Sequence, residues 1–125
     1  MKTGIGIDVL EIERLEQALE RRPGLARRVF SESEIAFASA RRRPGRHLAV
    51  RFAAKEAALK ALGLGGLRLH EIEVEGGGDS APSLRLHGSA LDLARRQGVE
   101  LAVSLSHSRE IATAVVISSP SAVRH

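Results

Sequence analysis

The chain has 125 residues, a formal net charge of +4 at pH 7, no cysteine, and three phenylalanines as its only aromatic residues. One domain's length is enough for a core, while the absence of cysteine excludes a disulfide framework and a thiolate zinc site. The N-terminus reaches Asp8 without an apolar run long enough for a signal or a membrane span, so a soluble cytoplasmic protein is expected, and its positive charge predicts an acidic partner.

Alternation over residues 4–10 predicts a strand with Ile5, Ile7 and Val9 on one face and Gly4, Gly6 and Asp8 on the other. Ile12, Leu15 and Leu19 stand at helical spacing, predicting a helix over 12–21 that Pro23 and Gly24 close. Around residues 30–35, Ser31 with Glu34 fits a capping box, and Phe30 with Ile35 fits the matching hydrophobic staple. Residues 41–47 read as a basic loop. The longest helical pattern runs over 48–62, ended by Gly63, Gly65 and Gly66. Strands are expected at 69–75 and 83–87 around a glycine-rich turn, a helix at 88–97, and two strands at 99–106 and 111–118. Residues 1–118 thus read as a single domain and 119–125 as a disordered tail. Interspersed helices and hairpins point to an α+β fold with a small antiparallel sheet packed on a long central helix.

Three clusters carry candidate chemistry. Asp8 shares its face with two glycines, leaving room for a hard cation that binds carboxylate oxygens, water and phosphate. Asp8 and Glu11 also fit a capping box, which would make Asp8 a helix cap instead. On the long helix, Leu48, Phe52, Leu59 and Leu62 form one flank, alanines form the other, and Glu56 and Lys60 lie in the gap between them. A Glu56–Lys60 surface pair at i,i+4 is the simpler reading of those two residues. Lys55 falls inside the large apolar stripe, where a charge is costly unless paired or used. The third cluster, Ser104–His107, sits at a strand end. Neighbouring strand residues face opposite ways, so His107 cannot readily activate Ser106, and these donors suit phosphate oxygens or a hydrogen-bonded turn. Gly63 and the glycines after it follow a helix where a phosphate loop would precede one, which favours a C-cap.

Ile5-Gly6-Ile7-Asp8 followed by Phe52-Ala53-Ala54-Lys55-Glu56-Ala57-Ala58-Leu59-Lys60 resembles the two-part signature of phosphopantetheinyl transferases. Val103-Ser104-Leu105-Ser106-His107 and the short length are similar to the holo-acyl-carrier-protein synthase branch. The resemblance spans residues 4–118. It implies a homotrimer with sites between subunits, coenzyme A as substrate, acyl carrier protein as acceptor, and a role in fatty acid biosynthesis. It implies Asp8 and Glu56 as Mg²⁺ ligands, with Lys60, Ser106 and His107 facing the coenzyme A phosphates and Lys55 and Gly63 nearby. Arg14, Arg21 and Arg22 would meet the acidic carrier. Glu56, or a metal-bound water it orients, would accept the proton of the carrier serine.

The chain departs from that pattern at Ser108, where some relatives carry an acidic residue, and at Ala81-Pro82, where relatives often carry Gly-Arg-Pro. A competing class is a nucleic-acid-binding module, suggested by Arg41-Arg42-Arg43 but lacking aromatics for base stacking. A non-catalytic trimeric scaffold is the third, disfavoured by intact Asp8 and Glu56.

Overall fold

The computed structural model describes residues 4–63 and 68–122. The order is β1 (Gly4–Glu11), α1 (Ile12–Arg21), α2 (Leu25–Val29), α3 (Glu32–Ser39), α4 (Pro44–Leu62), a 3-10 turn (Leu69–Glu71), β2 (Ile72–Glu75), β3 (Ser83–Leu86), α5 (Gly88–Gln97), β4 (Val99–His107) and β5 (Ile111–Pro120). β5 is the middle of a three-stranded antiparallel sheet between β1 and β4, and β2 pairs with β3 in a separate hairpin. The α+β class and the central helix follow the sequence reading.

α4 packs across the inner face of the larger sheet because both surfaces are small. A Cβ on Gly6 would fall 1.9 Å from the Ala57 carbonyl oxygen, and one on Gly4 would fall 2.2 Å from that of Ala61. Two glycines spaced by two on the strand therefore match two alanines spaced by four on the helix. Ala53, Ala54, Ala57 and Ala58 are all fully buried in this seam. The other flank of α4 packs with Ile12, Leu15 and Phe30 in a second cluster.

The glycine face of β1 thus points inward and its branched apolar face outward. Ile5, Ile7 and Val9 are 69%, 56% and 59% exposed, joined by Ile117 of β5 at 44%. This reverses the usual amphipathic strand and leaves a broad apolar surface on the molecule.

Beyond shifts of a single residue, the structure departs from the sequence reading in four places. α4 begins at Pro44, because proline suits the first helical position, so most of the expected basic loop is helix. α2 was not expected; it has five residues, none of them buried. The strand expected from 69 opens with the 3-10 turn. β5 runs to Pro120, pairing Ser119 with Glu100 and Pro120 with Val99, so these two residues belong to the sheet, not to a tail. Gly65, Gly66 and residues 123–125 lie outside the described residues.

Candidate active site

Asp8 lies within β1, and the residue preceding α1 is Glu11, with no side-chain cap, so the capping reading of Asp8 fails. Its carboxylate instead meets α4. Lys60 Nζ donates to the Ile7 carbonyl at 2.9 Å and lies 3.3 Å from Asp8 Oδ1, bypassing the i,i+4 pair with Glu56. Glu56 is half-buried beside them. Burial first, and the Asp8 charge second, push the Glu56 carboxyl above its ordinary value, while Lys60 opposes the shift. Together, the Asp8 and Glu56 carboxylates form a natural seat for a cation. No group of three or more metal-binding side chains occurs among the described residues. Two oxygens from protein, with the rest from water and phosphate, fit the way Mg²⁺ is commonly held.

Lys60 and Gly63 border one open depression, with Gly4, Ile5 and Gln97 beside them. Gly63 itself ends α4 in the left-handed conformation with φ 70°.

Lys55 does not join this cluster, contrary to its expected place near the phosphates. It is fully buried, 2.8 Å from Glu34 Oε1, which is also fully buried, and donates to the Leu69 and Ile72 carbonyls. Its charge is neutralised in the core, where burial pulls its pKa down against the attraction of Glu34. Glu34 also accepts from Ser31 N and Val74 N, so one carboxylate ties α3, α4 and β2 together. The capping box pointed to Glu34; its second task, across 21 positions, left no local signal.

His107 stands on the other flank of α4. Its ring centroid is 6.5 Å from that of His47, which is 5.9 Å from Phe37. Arg41 and Arg51 stack on Phe37, with guanidinium carbons 3.3 Å and 3.8 Å from the ring centroid. His107, His47, Phe37 and Arg51, with Gly77 and Leu105, line a cavity of about 180 Å³. Burial, then Arg46, Arg41, His107 and Arg51 in turn, lower the His47 pKa. The buried Nε atoms of Arg46 and Arg51 have no hydrogen-bond partner among the described residues. A crowded, under-satisfied set of donors of one sign is suited to an anion. Sequence reasoning found His107 but missed His47 and Arg51. Extending the helix back to Pro44 would have placed those two at i,i+4 on one face.

Ser106 is exposed and pairs with Thr113, on the opposite face of β4 from His107. Arg14 and Arg21, seven residues apart on α1, are exposed on one side, and Arg22 follows at the helix end. Arg27 and Arg28 on α2 are also exposed. The run Arg41–Arg43 is divided: Arg41 stacks on Phe37, Arg43 binds Glu16, and Arg42 is exposed. It forms no continuous basic stripe.

The structure thus holds a carboxylate pair beside a lysine and, apart from it, a cavity lined by two histidines and an arginine. Residues 4–116 match the family model for the 4'-phosphopantetheinyl transferase superfamily. The chain belongs to that superfamily. It is 49% identical over 115 residues to the holo-[acyl-carrier-protein] synthase of Moorella thermoacetica, covering 90% of each chain. Among solved structures, an ACPS–CoA complex from Chronobacterium ammoniagenes matches with a TM-score of 0.84 at 30% identity, covering 97% of this chain and 99% of that one. A holo-(acyl-carrier-protein) synthase from Bacillus anthracis in complex with CoA (3',5'-ADP) matches with a TM-score of 0.77 at 33% identity, covering 94% and 96%. Within the superfamily fold, Asp8, Glu56 and Lys60 are the charged residues of the two signature segments that meet in space.

Proposed function

We propose that this protein transfers the 4'-phosphopantetheine group of coenzyme A to a serine of apo-acyl carrier protein, giving holo-carrier and adenosine 3',5'-bisphosphate in support of fatty acid biosynthesis. The convergence of Asp8, Glu56 and Lys60 from two elements 48 positions apart is the observation that carries this reading. Asp8 and Glu56 would hold Mg²⁺, which would supply neutralisation of the charge on the coenzyme A pyrophosphate. Lys60, fixed by the Ile7 carbonyl, presents its ammonium to the β-phosphate. The carrier serine Oγ attacks the β-phosphorus, and the bond from that phosphorus to the bridging oxygen breaks. The adenosine bisphosphate leaves with the bridging oxygen. Glu56, or a water it orients, accepts the serine proton. Catalysis is then mainly positioning and electrostatics, as for other phosphoryl transfers.

The cavity lined by His107, His47 and Arg51 receives the remaining phosphates of coenzyme A. Asp8 and His107 do not face one another within a chain. Leu105 and Asp8 both pair with Ala114, one on each side of β5, and His107 lies two residues further along β4. The site therefore forms between subunits of a homotrimer that buries the apolar face of Ile5, Ile7 and Val9. Arg14, Arg21 and Arg22 dock the acidic carrier, with Arg27 and Arg28 extending that surface. No described helix is long and apolar enough to cross a membrane.

The test is to incubate the protein with apo-carrier, coenzyme A and Mg²⁺ and weigh the carrier. A mass gain of one phosphopantetheine arm is expected. Asp8→Asn should lower the rate about 100-fold at limiting Mg²⁺ with an unchanged melting profile. An unmodified carrier in the wild-type reaction would refute the assignment.

A further inference from the structure

Arg43 is the one non-glycine residue with positive φ among those described, at φ 51° and ψ 70°. It precedes Pro44, which restricts its backbone further. Such a conformation persists where surrounding contacts over-determine it. Here they come from the side chain. Arg43 Nε donates to Glu16 Oε2 at 3.1 Å and Nη2 to Oε1 at 3.0 Å, a bidentate fork, while Nη1 donates to the Arg109 carbonyl. Glu16 belongs to α1, and Arg109 to the turn that follows His107. The seat is tight: a Cβ on Gly45 would fall 2.3 Å from Glu16 Cγ. A second tie joins the same two elements, from Ile12 N to the Glu110 carbonyl at 2.8 Å.

We propose that Arg43 is a positioning residue, a strut that holds the carrier-docking helix α1 in register with the β4–β5 turn and its phosphate-binding His107. This rests on the proposed transferase reading for the roles of α1 and His107. The strut spans the start of α4, the middle of α1 and the turn, so it lies between the surface that receives the carrier and the cavity that receives coenzyme A. A misplaced α1 would present the carrier serine off line to the β-phosphorus, at a cost in carrier use more than in coenzyme A binding.

Glu16→Ala is the deciding variant, because two accounts predict opposite signs. If α1 were only a charged surface, removing an acidic residue would improve docking of an acidic carrier. The strut requires the reverse: a carrier KM raised about fivefold, with the coenzyme A KM nearly unchanged. Arg43→Gly tolerates the backbone conformation, and Arg43→Lys keeps the charge without the fork; both should match Glu16→Ala. The double variant Arg43→Gly with Glu16→Ala should be no worse than the poorer single one. Hydrogen exchange of α1 amides should quicken in all of them, a readout independent of transferase activity. A raised coenzyme A KM in the Arg43 variants alone would mean direct ligand contact and overturn the proposal. So would a lowered melting temperature with unchanged kinetic constants, or a lowered carrier KM in Glu16→Ala. If wild-type protein lacks transfer activity, the transferase reading fails by itself, and unchanged α1 exchange in the variants would separately refute the strut.

Discussion

Glu56 illustrates a residue kept at some expense to the fold. Its folded-state pKa lies above the ordinary 4.5 because burial and Asp8 disfavour the ionised form. Its contribution to stability is therefore present below pH 4.5 and lost as pH rises through the raised value. Glutamine cannot ionise, so metal-free Glu56→Gln should melt higher than wild type at pH 7, by about 2 °C or more, while losing transfer. The two melting curves should converge as pH falls towards 4.5. Equal melting temperatures across that range would show that the strain at Glu56 is absent. Lys55, the next residue back on α4, is the opposite case. Its ammonium is matched by Glu34 and two carbonyls, so its charge serves packing. Both residues were visible in the sequence as charges on a largely apolar helix. Telling them apart needed Glu34, supplied by another helix, which no periodicity along α4 reveals.

Elements in this fold are positioned by close approach as much as by apolar contact. The β1–α4 seam depends on Gly6, where a Cβ would sit against the Ala57 carbonyl, a backbone atom with little freedom to move. Gly6→Ala should cost about 3 kcal/mol in denaturant unfolding and displace Asp8 from Lys60, abolishing transfer even where the protein folds. A loss below about 1 kcal/mol would show that the seam relaxes easily. Glu73 on β2 makes a polar clamp of the same kind. Ser33 of α3 donates to it at 2.7 Å, and His87, just before α5, lies 3.1 Å away. Hydrogen bonds from Ser33, then Ser31 and His87, hold its pKa down at about 2. A depressed acid stabilises the fold above pH 4.5 and loses that contribution as pH falls towards 2. Ser33→Ala should therefore shift acid unfolding to higher pH; an unmoved transition would exclude the clamp. Elements with local signals were legible: α1 and α5 occupy the ranges their apolar spacing predicts. The cap of α5 was not, since Glu71 reaches across from the 3-10 turn to Ser89 N, Ser89 Oγ and Ala90 N. The start of α4 was misread because proline marks a loop boundary and a first helical turn equally well.

At the scale of the whole molecule, one chain carries two separate polar clusters, one on each flank of α4, and an exposed apolar sheet face. Asp8, Glu56 and Lys60 form one cluster, and His107, His47 and Arg51 line the other. Ile5, Ile7 and Val9 are each more than half exposed on a strand whose inner face is already filled by α4. A contiguous apolar surface of that kind favours self-association, and closed cyclic assemblies repeat one interface without leaving it open. If assembly brings the carboxylates of one subunit to His107 of the next, the two halves can be inactivated separately and recombined. Glu56→Ala and His107→Ala should each be inactive alone. Co-expressed in equal amounts, they should form mixed trimers in which about a quarter of the sites draw an intact half from each subunit. Activity per subunit should then recover to about that fraction of wild type. Adding a third change, Ile7→Asp, should remove the recovery by breaking the interface, while light scattering reports monomers. A single-chain site predicts no recovery at any mixing ratio. Absence of activity in mixed trimers confirmed by mass would therefore place both halves within one subunit and refute the shared site.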